Sequence, residues 1–217
     1  MKLSEANKLR LLYFLVFCCT ASWQPIFADY LKDHGLYGIK TGIILSVTPC
    51  MMFVVQPFTG MFADKFGYKK CLLIASFFSA LSYFLYLINV SFIYLFAITI
   101  CMSLFYNTIQ PLLDSLSLQL AQNDPKFSYG SLRIAGAAGW SFTGILVGQF
   151  IDSISTTVIF VSAGLSMLLC FAFSFLLSNK IKFVAANESS ERKNFKGIIS
   201  MLKINENSNF YYSSHIK

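Results

Sequence analysis

Charge is what this chain has least of. Asp, Glu, Lys and Arg make up 12% of its 217 residues, against about a quarter in an ordinary soluble domain, so there is too little polar surface to cover a fold bathed in water. Histidine is scarce as well. Neither His34 nor His215 lies within an apolar run, and there is no GxSG motif, so the serine and histidine that a rhomboid-like intramembrane protease needs are both missing and no enzyme is expected. The chain has no CxxC pair. Cys18, Cys19, Cys50, Cys71, Cys101 and Cys170 all sit inside apolar runs with no histidine near them. They read as small buried hydrophobes, and no zinc, disulfide or cofactor is expected. The net charge of +7 comes from 17 basic residues that lie between the apolar runs and share no surface, which excludes nucleic acid as a partner.

What is present is apolar: 56% of the residues are hydrophobic and 23 are Phe. A bilayer core of about 30 Å takes roughly 20 apolar residues per helical span. The apolar runs predict an all-α membrane protein with helices at about 9–31, 40–63, 70–88, 91–121, 129–151 and 156–178. The first run follows Lys2, Lys8 and Arg10 as a signal peptide would, but it is too long for one and has no small-residue cleavage site at its end. Basic residues orient the spans. They mark the start, the second loop (Lys65, Lys69, Lys70), the fourth (Lys126, with Arg133 just beyond) and the tail (Lys180, Lys182, Arg192, Lys193, Lys196), whereas the alternate loops hold only Lys32 and Lys40, offset by Asp29 and Asp33. Both termini are thus expected on the cytoplasmic side of the cell membrane. Residues 179–217 are polar and too short for a domain, and read as a cytoplasmic tail whose stretch Phe195 to Leu202 suits a short amphipathic helix on anionic lipid.

Three constellations carry chemistry. The second loop spaces Gly60, Asp64, Gly67, Lys69 and Lys70 as GxxxDxxGxKK. Gly60 would allow close helix approach, Gly67 a tight turn, and Asp64 a cap or an ion pair. In the fourth span Ser103, Asn107, Gln110, Asp114 and Ser117 recur at steps of four, three, four and three, so all five share one face. Facing lipid, that stripe would cost several kcal/mol, so it is expected to line a cavity or bond to neighbouring helices. Arg133, near the start of the fifth span, comes within about 5 Å of the depth of Asp114, which leaves an ion pair open. The fifth span continues through Gly136, Gly139, Trp140, Gly144 and Gly148. Its small residues, with a GxxxG at 144 to 148, point to close packing at the centre of the bundle. Trp140, two turns beyond Arg133, is placed either to pack or to stack a sugar ring beside the two charges.

The second loop resembles the signature loop of the major facilitator superfamily. The run Thr41-Gly42-Ile43-Ile44, Gln56-Pro57, Gly60, Asp64-Lys65 and Gly67 is similar to the lactose permease, oligosaccharide and nucleoside proton symporter group. So are Asn107, Pro111 and Asp114 (N…PxxE, with Asp for Glu), Tyr129-Gly130-Ser131-Leu132-Arg133 (FGxxR) and Gly139-Trp140. The resemblance implies the N-terminal half of a major facilitator fold, six helices built as two three-helix repeats over residues 1–178, followed by the start of a central loop. It implies proton-coupled symport of a sugar or similar small polar solute by alternating access. Nucleosides and aromatic acids are the alternative substrates.

It also implies that Asn107, Asp114, Arg133 and Trp140 line the sugar site, with Gln110 on the same face, and that Gly60, Asp64, Gly67, Lys69 and Lys70 stabilise the outward-open state. Asp in place of Glu shortens the acid by one methylene. The family's proton-coupling residues lie in a second six-helix half absent from these 217 residues. The expected partners are therefore lipid, a small solute, protons, and a C-terminal half or a second copy. A truncated, inactive product and a membrane protein acting through a partner are the competing expectations.

Overall fold

The computed structural model describes residues 4–123, 128–153 and 155–177; the tail from 179, with its expected amphipathic stretch at 195–202, and Lys126 lie outside them. Seven helices form among the described residues: α1 (Glu5–Trp23), α2 (Phe27–Asp33), α3 (Ile39–Phe66), α4 (Tyr68–Leu85), α5 (Phe92–Asn123), α6 (Tyr129–Ser153) and α7 (Val158–Ser174). They make six spans, because α1 and α2 share the first, Glu5–Asp33. Ser4 caps α1 by accepting from the Asn7 amide at 3.3 Å, and Glu5 pairs with Lys8 at 2.6 Å in the first turn. The first span, expected as one helix, is interrupted after Trp23. Pro25 has no amide hydrogen and its ring crowds the carbonyl four residues earlier, so the helix stops and restarts at Phe27.

Glu5–Asp33, Ile39–Phe66, Phe92–Gln122 and Tyr129–Ile151 are long and apolar enough to cross a membrane, and α4 and α7 are shorter, at 18 and 17 residues. A single residue, Gly67, joins α3 to α4. Its φ of 91° and ψ of 138° lie where only glycine is comfortable. The Gly67 amide donates to the Ala63 carbonyl at 2.8 Å and its own carbonyl accepts from the Cys71 amide at 3.1 Å, so each helix is closed across the hinge.

The first span is the hub. α1 packs against α6, α7 and α5, α3 packs on α5, and α4 bridges α5 and α7. More than half of the first span's apolar window (56%) is buried, against 22% for α3 and for α6, so α6 is peripheral where its glycines led us to expect a central helix. The glycines explain the difference. A Cβ on Gly139 would overlap the Phe14 carbonyl oxygen, and one on Gly136 would meet the Phe17 ring at 2.9 Å, while Gly144 and Gly148 meet nothing within 4 Å. The tight seam is Gly136 and Gly139 on α1; the GxxxG faces away from any described helix. Gly60 likewise has nothing within 4 Å, so it makes no close helix approach here.

Aromatic rings fill the core at the other end of α1. Tyr86 stacks on Phe160 with centroids 4.2 Å apart, Tyr30 meets the same ring edge-on at 4.7 Å, and Trp23 meets Phe27 at 5.4 Å. Such pairs add to the free energy of burying the rings, by about 0.5–1.5 kcal/mol each.

Candidate functional site

The polar stripe on α5 divides three ways. Ser103 and Ser117, at its two ends, are fully buried, and Ser103 shares a hydrogen bond with Thr48 of α3 at 3.0 Å. Asn107 donates from Nδ2 to the Thr48 carbonyl at 3.0 Å, fastening α5 to α3 beside Pro49. Gln110 turns the other way, donating from Nε2 to Asp114 Oδ1 at 3.2 Å.

Asp114 is the focus of a charged cluster among α1, α5 and α6. Three donors converge on its Oδ1: the Tyr13 hydroxyl at 2.7 Å, the Tyr129 hydroxyl at 3.0 Å and Gln110. Hydrogen bonds to a carboxylate are stronger than those between neutral groups, and a half-buried acid in a membrane helix needs them. Arg133 forms no ion pair with Asp114 within 4 Å, although their depths left one open. Its Nη1 instead donates to the Tyr129 hydroxyl at 2.8 Å, with the guanidinium 5.7 Å from the centre of the Tyr129 ring. Tyr129 lies one helical turn before Arg133 on the same face, so its hydroxyl reaches the space between the charges first. Its single proton goes to Asp114 and its lone pair receives Arg133. Cation and anion are thus joined through one hydroxyl.

Sequence reasoning missed both tyrosines. Tyr129 was findable, because it stands four residues before Arg133 on a helix. Tyr13 was not, because it is 101 residues from Asp114 and nothing local marks it. Trp140 is 38% exposed on α6, next to the tightly packed Gly139, and makes no ring contact or hydrogen bond among the described residues. The structure therefore links Gln110, Asp114 and, through Tyr129, Arg133 by hydrogen bonds, ties Asn107 to Thr48 instead, and leaves Trp140 outside both.

A cleft of about 490 Å³ opens among α1, α3 and α5, and Gln110 connects it to this cluster. Asn107 and Gln110 line it, joined by Gln24, Gln56, Thr20 and Thr48. Phe17, Trp23, Phe27 and Tyr106 form its aromatic wall, with the Tyr106 hydroxyl held by Thr20 at 2.6 Å.

At the opposite end of α3 lies the second loop. Asp64 accepts from the Tyr68 hydroxyl at 3.2 Å, and Lys65 covers the Phe66 ring at 5.3 Å. Lys69 reaches from the first turn of α4 to the Phe175 and Leu177 carbonyls, at 2.8 and 2.7 Å, just beyond the end of α7. A cation there satisfies orphan carbonyls and opposes the helix dipole. Lys70 is exposed, as is Gly60, and Gly67 is the hinge.

The chain is similar to several transporters. It is 33% identical over 139 residues to the uncharacterized transporter YwbF of Bacillus subtilis, covering 63% of this chain and 35% of that one. It is 31% identical over 160 residues to a maltose permease of Geobacillus stearothermophilus, covering 73% and 40%. Over 165 residues it is 25% identical to the quinolone resistance protein NorA of Staphylococcus aureus, covering 76% and 42%.

Among solved structures, a variant of the nucleoside transporter NupG superposes with a TM-score of 0.77 at 20% identity, over 96% of this chain and 53% of that chain, which shows the fold. The chain spans about two-fifths or less of the length of these curated relatives. The model of the MFS_1 like family matches residues 6–213. With six helical spans arranged as in half of a major facilitator transporter, this multi-pass membrane protein belongs to that family.

Proposed function

We propose that the chain supplies half of the solute path of a secondary active transporter. In this reading it carries a sugar or similar small polar organic molecule across the cell membrane together with protons, by alternating access. The observation that carries it is the Arg133–Tyr129–Asp114 chain of hydrogen bonds. A half-buried acid and an exposed cation on neighbouring helices are joined through a hydroxyl that a solute hydroxyl can replace. Gln110 and Asn107 extend the same surface into the cleft, and Trp140 offers an exposed ring on the helix that holds Arg133.

Similarity to a protein named as a maltose permease supports a sugar before a nucleoside or an aromatic acid. In this reading Gly60, Asp64, Gly67, Lys69 and Lys70 form a conformational clamp whose basic residues, like those of the start and tail, face the cytoplasm. The opposite wall of the path comes from a C-terminal half or a second copy.

Uptake of labelled maltose into vesicles holding the chain, alone or co-expressed with a C-terminal half, with and without an uncoupler, tests the reading. Accumulation should vanish with the uncoupler and in Asp114→Asn and Arg133→Ala, and weaken in Trp140→Phe. Unchanged uptake in both charge variants refutes the site.

A further inference from the structure

A second hollow, of about 520 Å³, lies on a different face of α3 from the cleft. Its walls are α3 from Val54 to Phe66 and α4 from Cys71 to Ala75, and α5 from Leu104 to Leu112 is its floor. α3 and α4 meet little beyond the Gly67 hinge, while both rest on α5. Val54, Phe58, Phe62 and Phe66, each at least half exposed, stand at steps of four along the α3 wall.

The lining side chains offer an occupant nothing polar. Thr59 donates its hydroxyl to the Val55 carbonyl at 3.1 Å and Thr108 donates to the Phe105 carbonyl at 2.6 Å, so both hydroxyls are committed to their own helices. A polar occupant would lose its hydration here without replacement.

The chemistry changes at the end of the hollow beside the second loop, which Phe66 and Cys71 line. Lys65 lies over the Phe66 ring at 5.3 Å, and that ring stacks on Phe62. Lys70 directly precedes Cys71. Both lysines are exposed, and neither pairs with an acid among the described residues. The other charges of the loop are engaged, Asp64 with the Tyr68 hydroxyl and Lys69 with the carbonyls beyond α7.

From this arrangement we infer that the hollow binds an anionic phospholipid, with one acyl chain lying between α3 and α4 and the phosphate held by Lys65 and Lys70. The inference goes beyond the solute path and stands on the membrane-spanning fold alone. The wall from Val54 to Phe66 is about 18 Å long at 1.5 Å per residue, and one leaflet is about half of a core of roughly 30 Å, so the hollow suits a chain of one leaflet. A concave surface touches that chain on three sides, where a convex helix touches it on one, and dispersion contacts add up accordingly. Lysine stems lie along apolar surface while their ammonium groups reach the phosphates, as Lys65 does over Phe66. A partner helix would need an acidic end at this depth to satisfy the same two cations.

The test is native mass spectrometry of the full chain in detergent, titrated with phosphatidylglycerol and with phosphatidylcholine of the same acyl chains. Phosphatidylglycerol should bind at least tenfold more tightly. Lys65→Gln combined with Lys70→Gln should weaken it at least tenfold, at roughly fivefold per lysine, and leave phosphatidylcholine unchanged. Lys32→Gln combined with Lys40→Gln, in the preceding loop, should change neither. Thr108→Phe fills the floor and should weaken both lipids. Should that variant fold poorly, a phosphatidylglycerol with a photoreactive acyl terminus tests the hollow in the parent chain, and should label the α3 or α5 peptide that holds Val54 or Leu104. Glycerophosphoglycerol, the headgroup without chains, should not compete. Equal binding of the two lipids, a Lys65 and Lys70 variant with the parent's affinity, an equal loss in the Lys32 and Lys40 variant, or competition by the headgroup alone would each overturn the inference. So would label outside α3, α4 and α5, or label lost when a C-terminal half is co-expressed, which would assign the hollow to a partner helix.

Discussion

Gly139→Ala should be among the most damaging single methyl additions in this bundle. On the α6 face that meets α1, a Cβ at 139 would sit inside the van der Waals radius of the Phe14 carbonyl oxygen, 3.1 Å from its carbon and 3.2 Å from Cys18 Sγ. Backbone cannot rotate out of the way as a side chain can, so the two helices must separate by a few tenths of an ångström or more. Overpacking of this kind costs about 1–3 kcal/mol. It also disturbs the 3.5 Å contact in which Cys18 donates to the Gly139 carbonyl.

Gly136 is the intermediate case, because its obstacle is the Phe17 ring at 2.9 Å, which can swing aside. Gly144, with nothing within 4 Å, should gain from alanine's better helix propensity, by up to about 1 kcal/mol. Thermal melting of the three variants in one detergent, followed by a thiol-reactive dye, reads the order. At roughly 2–4 °C per kcal/mol for a chain of this size, Gly139→Ala should melt several degrees below the parent, Gly136→Ala between, and Gly144→Ala at or above it. Equal melting of the 139 and 144 variants would show that α6 does not meet α1 through this face.

Gly67→Ala forces a Cβ onto a backbone with φ of 91°, and should cost about 1–3 kcal/mol of strain, seen as a lower melting temperature and as faster hydrogen exchange at the start of α4. Lys69→Met removes both donors from the Phe175 and Leu177 carbonyls; the end of α7 should become several-fold more accessible to protease, and unchanged cleavage would mean that the cap is idle. Tyr129→Phe deletes the hydroxyl between Arg133 and Asp114, and maltose affinity should fall about tenfold or more, with partial recovery in Tyr129→Phe combined with Asp114→Glu.

Long apolar runs made the six spans legible, since nothing but a bilayer explains them. The polar stripe on α5 was legible because helical periodicity alone puts Ser103, Asn107, Gln110, Asp114 and Ser117 on one face. What each member does was not, because that depends on neighbours far away in sequence: Thr48 takes Ser103 and Asn107, and Tyr13 takes Asp114. The glycines of α6 show the same limit. Four small residues recur along the helix, but the rotation of α6 against α1 decides which two are packed, and the familiar GxxxG spacing pointed to the wrong pair. Gln24 drew no reading from the sequence, and Gln56 stood out only within the resembling Gln56-Pro57 pair. Only the meeting of α1, α3 and α5 gives them a common space.

Two departures from the family pattern meet at one point in space. Asp114 stands where the resembling N…PxxE pattern has Glu, and so reaches less far by one methylene, about 1.3–1.5 Å of chain. Tyr129 stands where the FGxxR pattern has Phe, and so carries a hydroxyl that the pattern lacks. In the structure that hydroxyl lies between the shortened acid and Arg133, 3.0 Å from one and 2.8 Å from the other. A hydrogen-bonding oxygen spans more than the missing methylene, so acid and base remain in contact without touching. The consequence is electrostatic as well as steric. In the proposed transport reading, a direct ion pair would have to be pulled apart before a solute entered, at a cost that grows steeply in a low-dielectric bundle, whereas a bridged pair would exchange its hydroxyl for a solute hydroxyl one for one. The second carboxylate oxygen, Oδ2, receives no hydrogen bond among the described residues, since all three donors converge on Oδ1. Asp114 therefore holds its three protein partners through one oxygen and keeps the other free of protein hydrogen bonds, which is what the proposed solute site asks of it.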